Sequence, residues 1–148
     1  MAQEYSAGMI VFNTSSNPMS VLLVHHMNGN HWGFPKGHQE KGETSLETAK
    51  RELEEETGVQ EVVTLPDISF IDCYTSQSRN KPIEKEVTYF VGTADTTEGS
   101  VSDAMKHEIA EARFVPIAEA PALLTYESSK VVLASVLNNE VVKRHLGL

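Results

Sequence analysis

Short apolar runs, rich in β-branched residues and separated by turn formers, give most of this chain the pattern of β-strands. The first two runs are Tyr5–Phe12 and Ser20–His26, joined by the turn-rich segment NTSSNP. Further strands are predicted at 61–65, 69–75, 85–93 and 111–115. Interspersed with two substantial helices, these strands predict an α/β fold in which a mixed β-sheet lies between helical layers.

The clearest helix is predicted over Thr44–Thr57. Thr44 and Glu47 have the spacing of a capping box, and Gly58 is placed to end the helix in a left-handed conformation. Its apolar positions form one narrow stripe, so a single face is expected to pack on the sheet.

Other segments are predicted from the same patterns. Tyr126–His145 has apolar residues near helical spacing and is predicted to be one long helix, with a shorter one over Ile117–Leu124. Two glycines and a proline interrupt WGFPKG, which is therefore expected to be irregular. The charged stretch SQSRNKPIE is predicted to be a turn between two strands.

The length of 148 residues suits one domain spanning 1–148, and 40% hydrophobic residues are ordinary for a soluble protein. No apolar run approaches the roughly 20 residues that a membrane span needs, and the N-terminus lacks signal-peptide features. Cys73 is the only cysteine, and we expect it to be a small buried residue. These features favour a cytoplasmic protein and leave the oligomeric state open.

A net charge of −9 argues against binding of long nucleic acid through a broad basic face. A small polyanionic substrate would also be repelled by this field. Any site for phosphates must therefore supply its own positive charge.

The stretch RELEEETG concentrates negative charge on the predicted helix. Glu52, Glu55 and Glu56 are three and four residues apart, which brings their carboxylates to one face. Like charges at this spacing repel, whereas hard oxygen ligands suit Mg²⁺ or Mn²⁺. A bound divalent cation would turn the repulsion into attraction.

Residues 37 to 59, GHQEKGETSLETAKRELEEETGV, resemble the Nudix box, Gx5Ex7REUxEExGU, where U is a bulky aliphatic residue. Every specified position of the box is matched. The resemblance implies a Nudix-type α/β/α sandwich. It also implies hydrolysis of a nucleoside diphosphate linked to another group, with Mg²⁺ or Mn²⁺ as cofactor.

The resemblance also implies a set of metal ligands. The main-chain carbonyl of Lys36 would complete a shell formed by the carboxylates of Glu52, Glu55 and Glu56. A glutamate outside the box often contributes in this family. The segment MKHEIAEARFVP resembles the part of the chain that supplies it, and Glu108 is the candidate there.

The catalytic residues implied by the resemblance partly overlap with these ligands. Glu43 and Arg51 would form an ion pair that fixes the preceding loop against the helix. The general base is left open, as is the number of metal ions. The candidate catalytic set is Glu43, Arg51, Glu52, Glu55 and Glu108, with Glu111 as a second choice for the last position.

Within the family, HWGFPKGH, RNKP and the His-Glu pair at 107–108 resemble the asymmetrical diadenosine tetraphosphate hydrolases. This resemblance implies a dinucleoside polyphosphate substrate cut to ATP and AMP. Its phosphates need local cations and its adenines need aromatic partners. The candidates are Lys36, His38, Arg79, Lys81 and Lys85 for the phosphates, and Trp32, Tyr74 and Tyr126 for the bases.

Several alternatives stay open. The W-x-F-P pattern also occurs in bacterial RNA 5′-pyrophosphohydrolases, although those read QGG where this chain reads KGH. Inositol pyrophosphate hydrolases share a similar box but would favour a more basic site. A noncatalytic Nudix-like binding module is the alternative from another class, and such modules usually lose box glutamates that are all present here.

Overall fold

A computed structural model describes residues 2–78, 80–95 and 105–148 of the chain. The strands are β1 Ala2–Asn13, β2 Ser20–His26, β3 His31–Gly33, β4 Lys36–His38, β5 Val63–Ser78, β6 Lys81–Ala94 and β7 Ile109–Pro116. The helices are α1 Ser45–Thr57, α2 Ala120–Leu123, α3 Glu127–Asn138 and α4 Glu140–Leu146. Among the described residues, no helix is both long enough and apolar enough to span a bilayer.

The described strands form one seven-stranded sheet with the backbone order β3-β2-β1-β6-β5, to which β4 is added beside β1 and β7 beside β2. The central pair, β1 and β6, is parallel, and the remaining pairs are antiparallel. The predicted mixed sheet is thus confirmed.

Helices pack on both faces of the sheet. Side chains alternate between the two faces along each strand, so one strand can contribute to both apolar clusters. On β1, Met9 and Val11 join the apolar cluster that includes Ala49 and Leu53 of α1. Ile10 and Phe12 point the other way and join the cluster formed with the helices near the C-terminus. Two separate clusters on opposite faces confirm the predicted α/β/α sandwich.

The ends of α1 are fixed by its own sequence. The Thr44 hydroxyl accepts a hydrogen bond from the Glu47 main-chain N–H at 3.1 Å, and the Glu47 carboxylate accepts one from Thr44 N–H at 2.9 Å. At the other end Gly58 has φ +74° and donates to the Glu54 carbonyl at 2.8 Å. The predicted capping box and glycine stop are both confirmed, so the register of the acidic residues on α1 follows from local signals.

The strands predicted at 61–65 and 69–75 are in fact one strand, β5, with a register shift between Thr64 and Ser69. Asp67, within this irregularity, has a positive φ of 57°. The turn predicted over SQSRNKPIE is shorter than predicted, because β5 continues to Ser78 and β6 begins at Lys81. Main-chain pairing extends the hairpin through polar residues that carry no strand pattern.

Three further predictions differ from the structure. The long helix at 126–145 is two helices, because Asn139 adopts an extended conformation between them. Its side chain accepts hydrogen bonds from the N–H groups of Val141 and Val142 at 2.9 and 3.1 Å, which starts α4. Cys73 is exposed rather than buried, because the neighbouring Asp72 occupies the inward position on β5. The segment WGFPKG, predicted to be irregular, contributes to the two short strands β3 and β4.

Candidate active site

Two glutamates of α1, Glu52 and Glu56, are turned toward the protein interior beside β4. Glu52 and Glu56 are only 7% and 3% exposed, unlike the solvated glutamates of an ordinary surface helix. Glu56 Oε1 accepts a hydrogen bond from the main-chain N–H of Lys36 in β4 at 3.1 Å. This bond joins α1 to the short strand that precedes the Nudix-like loop.

Burial makes the charged forms of both acids unfavourable. It raises the pKa of Glu56 well above its ordinary value, and the negative charge of Glu52 raises it further. Burial likewise raises the pKa of Glu52, although a hydrogen bond with Glu56 and the charge of Arg51 oppose the shift. Two carboxyl groups that share a buried site in this way need a positive partner to be ionised together.

Gly37 makes room for one of these acids. A Cβ at position 37 would coincide with the carboxylate of Glu52. The peptide of residues 36–37 therefore lies directly against Glu52 and Glu56, with only hydrogen at the closest Cα. Two neighbouring carboxylates beside a main-chain segment form a donor set that suits a hard divalent cation, so these residues fit the metal that the resemblance implies.

Arg51 holds the loop before α1 in place, as predicted. Its Nε donates to Glu43 Oε2 at 2.7 Å and its Nη2 donates to Glu43 Oε1 at 3.1 Å, a bidentate pair. Nη2 also donates to the His38 carbonyl at 3.1 Å, while Nη1 donates to Glu52 Oε1 at 2.9 Å. One guanidinium thus links the loop, β4 and the buried acid.

The remaining predicted ligands are placed differently. Glu55 is turned toward Arg51, with 3.3 Å between Nη1 and Oε2. The half-exposed Glu108 lies before β7, with its Oε1 3.4 Å from Nε2 of His107. Within the described ranges, no three acidic, histidine or cysteine side chains converge as they would around an ion. The ligand roles of Glu55, Glu108 and the Lys36 carbonyl stay predictions.

The side chain of Lys36 starts beside Gly8 of β1. A Cβ at Gly8 would lie 2.8 Å from Lys36 Cβ and 2.8 Å from Tyr89 Cε1, so the lysine stem and the tyrosine ring flank the same glycine. The ammonium group is within electrostatic range of Glu56, Asp72 and Glu52. Burial nevertheless lowers the pKa of Lys36, because desolvation outweighs these attractions.

A stack of rings at the end of β2 and β3 was missed by sequence reasoning. His26 and His31 stack with centroids 4.7 Å apart, and Tyr126 lies 5.0 Å from His31 at a tilt of 45°. Burial and the nearby charge of Lys36 lower the pKa of His26 to about 3, so its ring is neutral. The available signal was that both histidines flank a short turn, which pairs them across a hairpin.

The predicted base-binding residues differ in how accessible their rings are to a ligand. Tyr126 is 48% exposed, which leaves part of its ring accessible. Trp32 already stacks on His25 at 5.1 Å, and the guanidinium carbon of Arg113 lies 5.0 Å from its ring centroid. Tyr74 is half-buried against the core. Of these three rings, Tyr126 is therefore the most accessible to a ligand.

Of the predicted phosphate-binding cations, Lys85 is half-buried, with its Nζ 3.8 Å from Oε2 of Glu4. His38 and Lys81 are exposed. Arg79 lies outside the described residues. The roles of all four stay predictions.

Comparison with known proteins gives a consistent result. The sequence profile of the NUDIX domain matches residues 2–135. The asymmetrical bis(5′-nucleosyl)-tetraphosphatases of Rattus norvegicus and Sus scrofa are 31% and 29% identical over 135 residues, covering 86% of this chain and 89% of each relative. A crystal structure of a C. elegans Ap4A hydrolase binary complex aligns with a TM-score of 0.73 at 21% identity, covering 88% of this chain and 93% of that chain.

Gly37→Ala should cut hydrolytic activity by about a hundredfold without unfolding the protein, because the new methyl group displaces the Glu52 carboxylate by about an ångström. The side chain of Glu52 is flexible, so the melting temperature should change little. Gly33→Ala is the matched control, since its Cβ would meet no atom nearer than 3.9 Å. Equal activity of the two variants would mean that the position of Glu52 is unimportant.

Glu43→Gln should lower the free energy of unfolding near neutral pH, and the loss should shrink as the solution is acidified. Hydrogen bonds from Arg51 lower the pKa of Glu43 from 4.5 to about 2 in the folded state. The carboxylate therefore stabilises the fold above its unfolded pKa and loses this effect between the two values. Urea unfolding at pH 7, 5 and 3 would measure this, with exposed Glu61→Gln as control. A difference that stays constant down to pH 3 would contradict the assignment.

Proposed function

The chain belongs to the NUDIX domain family, and on this premise we propose that it hydrolyses diadenosine tetraphosphate and related dinucleoside polyphosphates to ATP and AMP. The chain is a Nudix hydrolase, and enzymes of this family generally use divalent metal ions. We propose Mg²⁺ or Mn²⁺ as the cofactor here. The whole-length similarity to asymmetrical tetraphosphatases supports this choice of substrate.

The observation that carries the proposal is the buried pair Glu52 and Glu56, held against the main chain of Lys36. Glutamates that serve only to make a helix surface soluble are exposed to solvent. Burying two acids side by side is unfavourable unless a cation shares the site. The expected ligands are these two carboxylates and the Lys36 carbonyl, with Glu55 and Glu108 as further candidates.

A divalent ion held by these residues would supply an activated water and would neutralise charge on the phosphates. The chain's own residues orient the rest. Arg51 fixes Glu52 and, through Glu43, the loop in front of α1. A carboxylate beside the attacking water removes its proton, and Glu52, Glu55 and Glu108 are the candidates.

Local cations offset the net charge of −9 for a substrate with about four negative charges of its own. Lys36 is the first candidate, because its ammonium is within electrostatic range of Glu52 and Glu56. Lys85, Lys81, Arg79 and His38 are proposed to hold phosphates further along.

The accessible ring of Tyr126 is proposed to stack on one adenine. It is backed by His31 of β3 and then by His26 of β2, so rings from two strands support the tyrosine that precedes α3. A base that stacks on such a platform gains about 1–3 kcal/mol. Trp32 and Tyr74 are kept as further candidates, although both already pack against protein atoms.

We propose that the cut falls away from the centre of the substrate. In this proposal the acids of α1 fix one point of attack, and the cations hold the phosphates that lie beyond it. Such a site would fix the distance between one end of the substrate and the bond that is cut. The two products can therefore carry different numbers of phosphates. ATP and AMP follow if the cut falls one phosphate from one adenosine.

Glu56→Gln should lower kcat by at least about a hundredfold, because loss of such electrostatic stabilisation costs a few kcal/mol. The amide can still accept the Lys36 N–H, so the protein should stay folded. Glu54→Gln is the matched control on the same helix, since Glu54 is exposed and bonds only Gln60 among its described side-chain partners. Similar kcat values for both variants at saturating Mg²⁺ would rule out Glu56 as a metal ligand.

Tyr126→Ala should raise KM for diadenosine tetraphosphate more than it lowers kcat. Stacking on a base far from the reacting phosphorus stabilises the ground and transition states alike. Tyr126→Phe keeps the ring and should keep KM near the wild-type value. An unaltered KM in the alanine variant would assign Tyr126 to packing alone.

Product analysis tests the proposed function itself. Chromatography of an early time point with Mg²⁺ and diadenosine tetraphosphate should give equal amounts of ATP and AMP, and EDTA should abolish the reaction. Two ADP molecules as the initial product would contradict the off-centre cut. No cleavage of the dinucleotide, together with pyrophosphate release from 5′-triphosphorylated RNA, would favour the RNA pyrophosphohydrolase. Tight binding without any turnover would favour a binding module.

A further inference from the structure

Asp72 is a buried acid that lies outside the Nudix box. It sits on β5 with 6% exposure, and its Oδ2 accepts a hydrogen bond from the Ser128 hydroxyl of α3 at 3.3 Å. A buried carboxylate is unfavourable unless it has a partner of opposite charge. The cation within electrostatic range of Asp72 is Lys36.

The sheet provides the path between these two residues. Gly8 on β1 is paired with Lys36 on β4 and with Tyr89 on β6, and Tyr89 is paired with Phe70 on β5. Asp72 follows two residues after Phe70, so it lies on the same face. The lysine stem enters this row over the bare Gly8, beside the ring of Tyr89.

The ammonium of Lys36 is thus attracted by carboxylates on two different elements, Glu56 and Glu52 of α1 and Asp72 of β5. Among the described residues it makes no direct ion pair with any of them within 4.0 Å. Its position is therefore set by the balance of these attractions. A shift toward Glu52 and Glu56 would place a built-in cation in the region where the metal ion is expected.

We propose that Asp72 is a positioning residue that draws the Lys36 ammonium away from Glu52 and Glu56, which keeps the acidic pair available to the metal ion and the lysine available to phosphate. Ser128 fixes the Asp72 carboxylate and so connects α3 to this arrangement. The inference rests on the proposed function for the metal but not for the substrate.

Binding of Mn²⁺ without nucleotide tests this inference, by calorimetry or by the electron paramagnetic resonance signal of the free ion. Asp72→Asn should raise the Kd for Mn²⁺ by about fivefold or more, the lower end of typical coupling between sites. Asp72→Glu should restore most of the affinity. Glu119→Gln removes the same charge from an exposed position and should leave the Kd within about twofold of wild type.

A double-mutant cycle separates positioning from a general field effect. Lys36→Met keeps the main chain and should lower the Kd, because the competing ammonium is gone. In the Lys36→Met background, Asp72→Asn should then have no further effect. An equal weakening by Asp72→Asn in both backgrounds would overturn the proposal, as would an unchanged Kd in the wild-type background.

The Lys36→Met variant alone keeps the proposal falsifiable if Asp72→Asn does not fold, because unchanged or weaker Mn²⁺ binding would contradict competition by the ammonium. The titration contains no nucleotide, so it is independent of the substrate. A cycle that behaves as expected, combined with no cleavage of diadenosine tetraphosphate, would retain the role of Asp72 and reject only the proposed substrate.

Discussion

The close approach of two buried carboxyl groups, Glu52 and Glu56, is the constraint around which the site is built. They are one helical turn apart and are pressed against the 36–37 peptide, where Gly37 alone leaves enough space. Such an arrangement disfavours ionisation of both groups unless positive charge is nearby. Arg51 supplies part of that charge through its hydrogen bond to Glu52, and the metal ion is proposed to supply the rest.

The fold holds these groups with little freedom. The capping box and Gly58 fix the rotation of α1, and its apolar stripe packs on β1 through Ala49 and Leu53. β4 pairs with β1, so the 36–37 peptide and the helix α1 are both positioned by contacts with the same strand. Arg51 then joins the intervening loop to both. A precise site therefore follows from packing on one central strand, although the loop itself is mostly exposed.

Local signals in the sequence were sufficient for α1 and its acids. A capping box, a glycine stop and the spacing of the glutamates each depend on neighbouring residues, so they can be read without the fold. The ring stack of His26, His31 and Tyr126 was missed because it needs a strand pairing and a distant helix. Asp72 was overlooked for a related reason.

The stretch ISFIDCY is apolar in both alternating phases, so the sequence alone cannot decide whether Asp72 or Cys73 points inward. Pairing with β6 makes that choice. The break at Asn139 was likewise invisible to helical spacing, because apolar residues continue on both sides while the asparagine side chain starts a new helix. Partner strands and caps thus decide what periodicity leaves open.

The central claim is that Glu52 and Glu56 hold the metal ion, and anomalous diffraction from crystals grown with Mn²⁺ tests it most directly. The account predicts an anomalous peak between these two carboxylates and the Lys36 carbonyl. A peak found only at exposed acids elsewhere, with Glu52 and Glu56 hydrogen-bonded to each other, would contradict this claim.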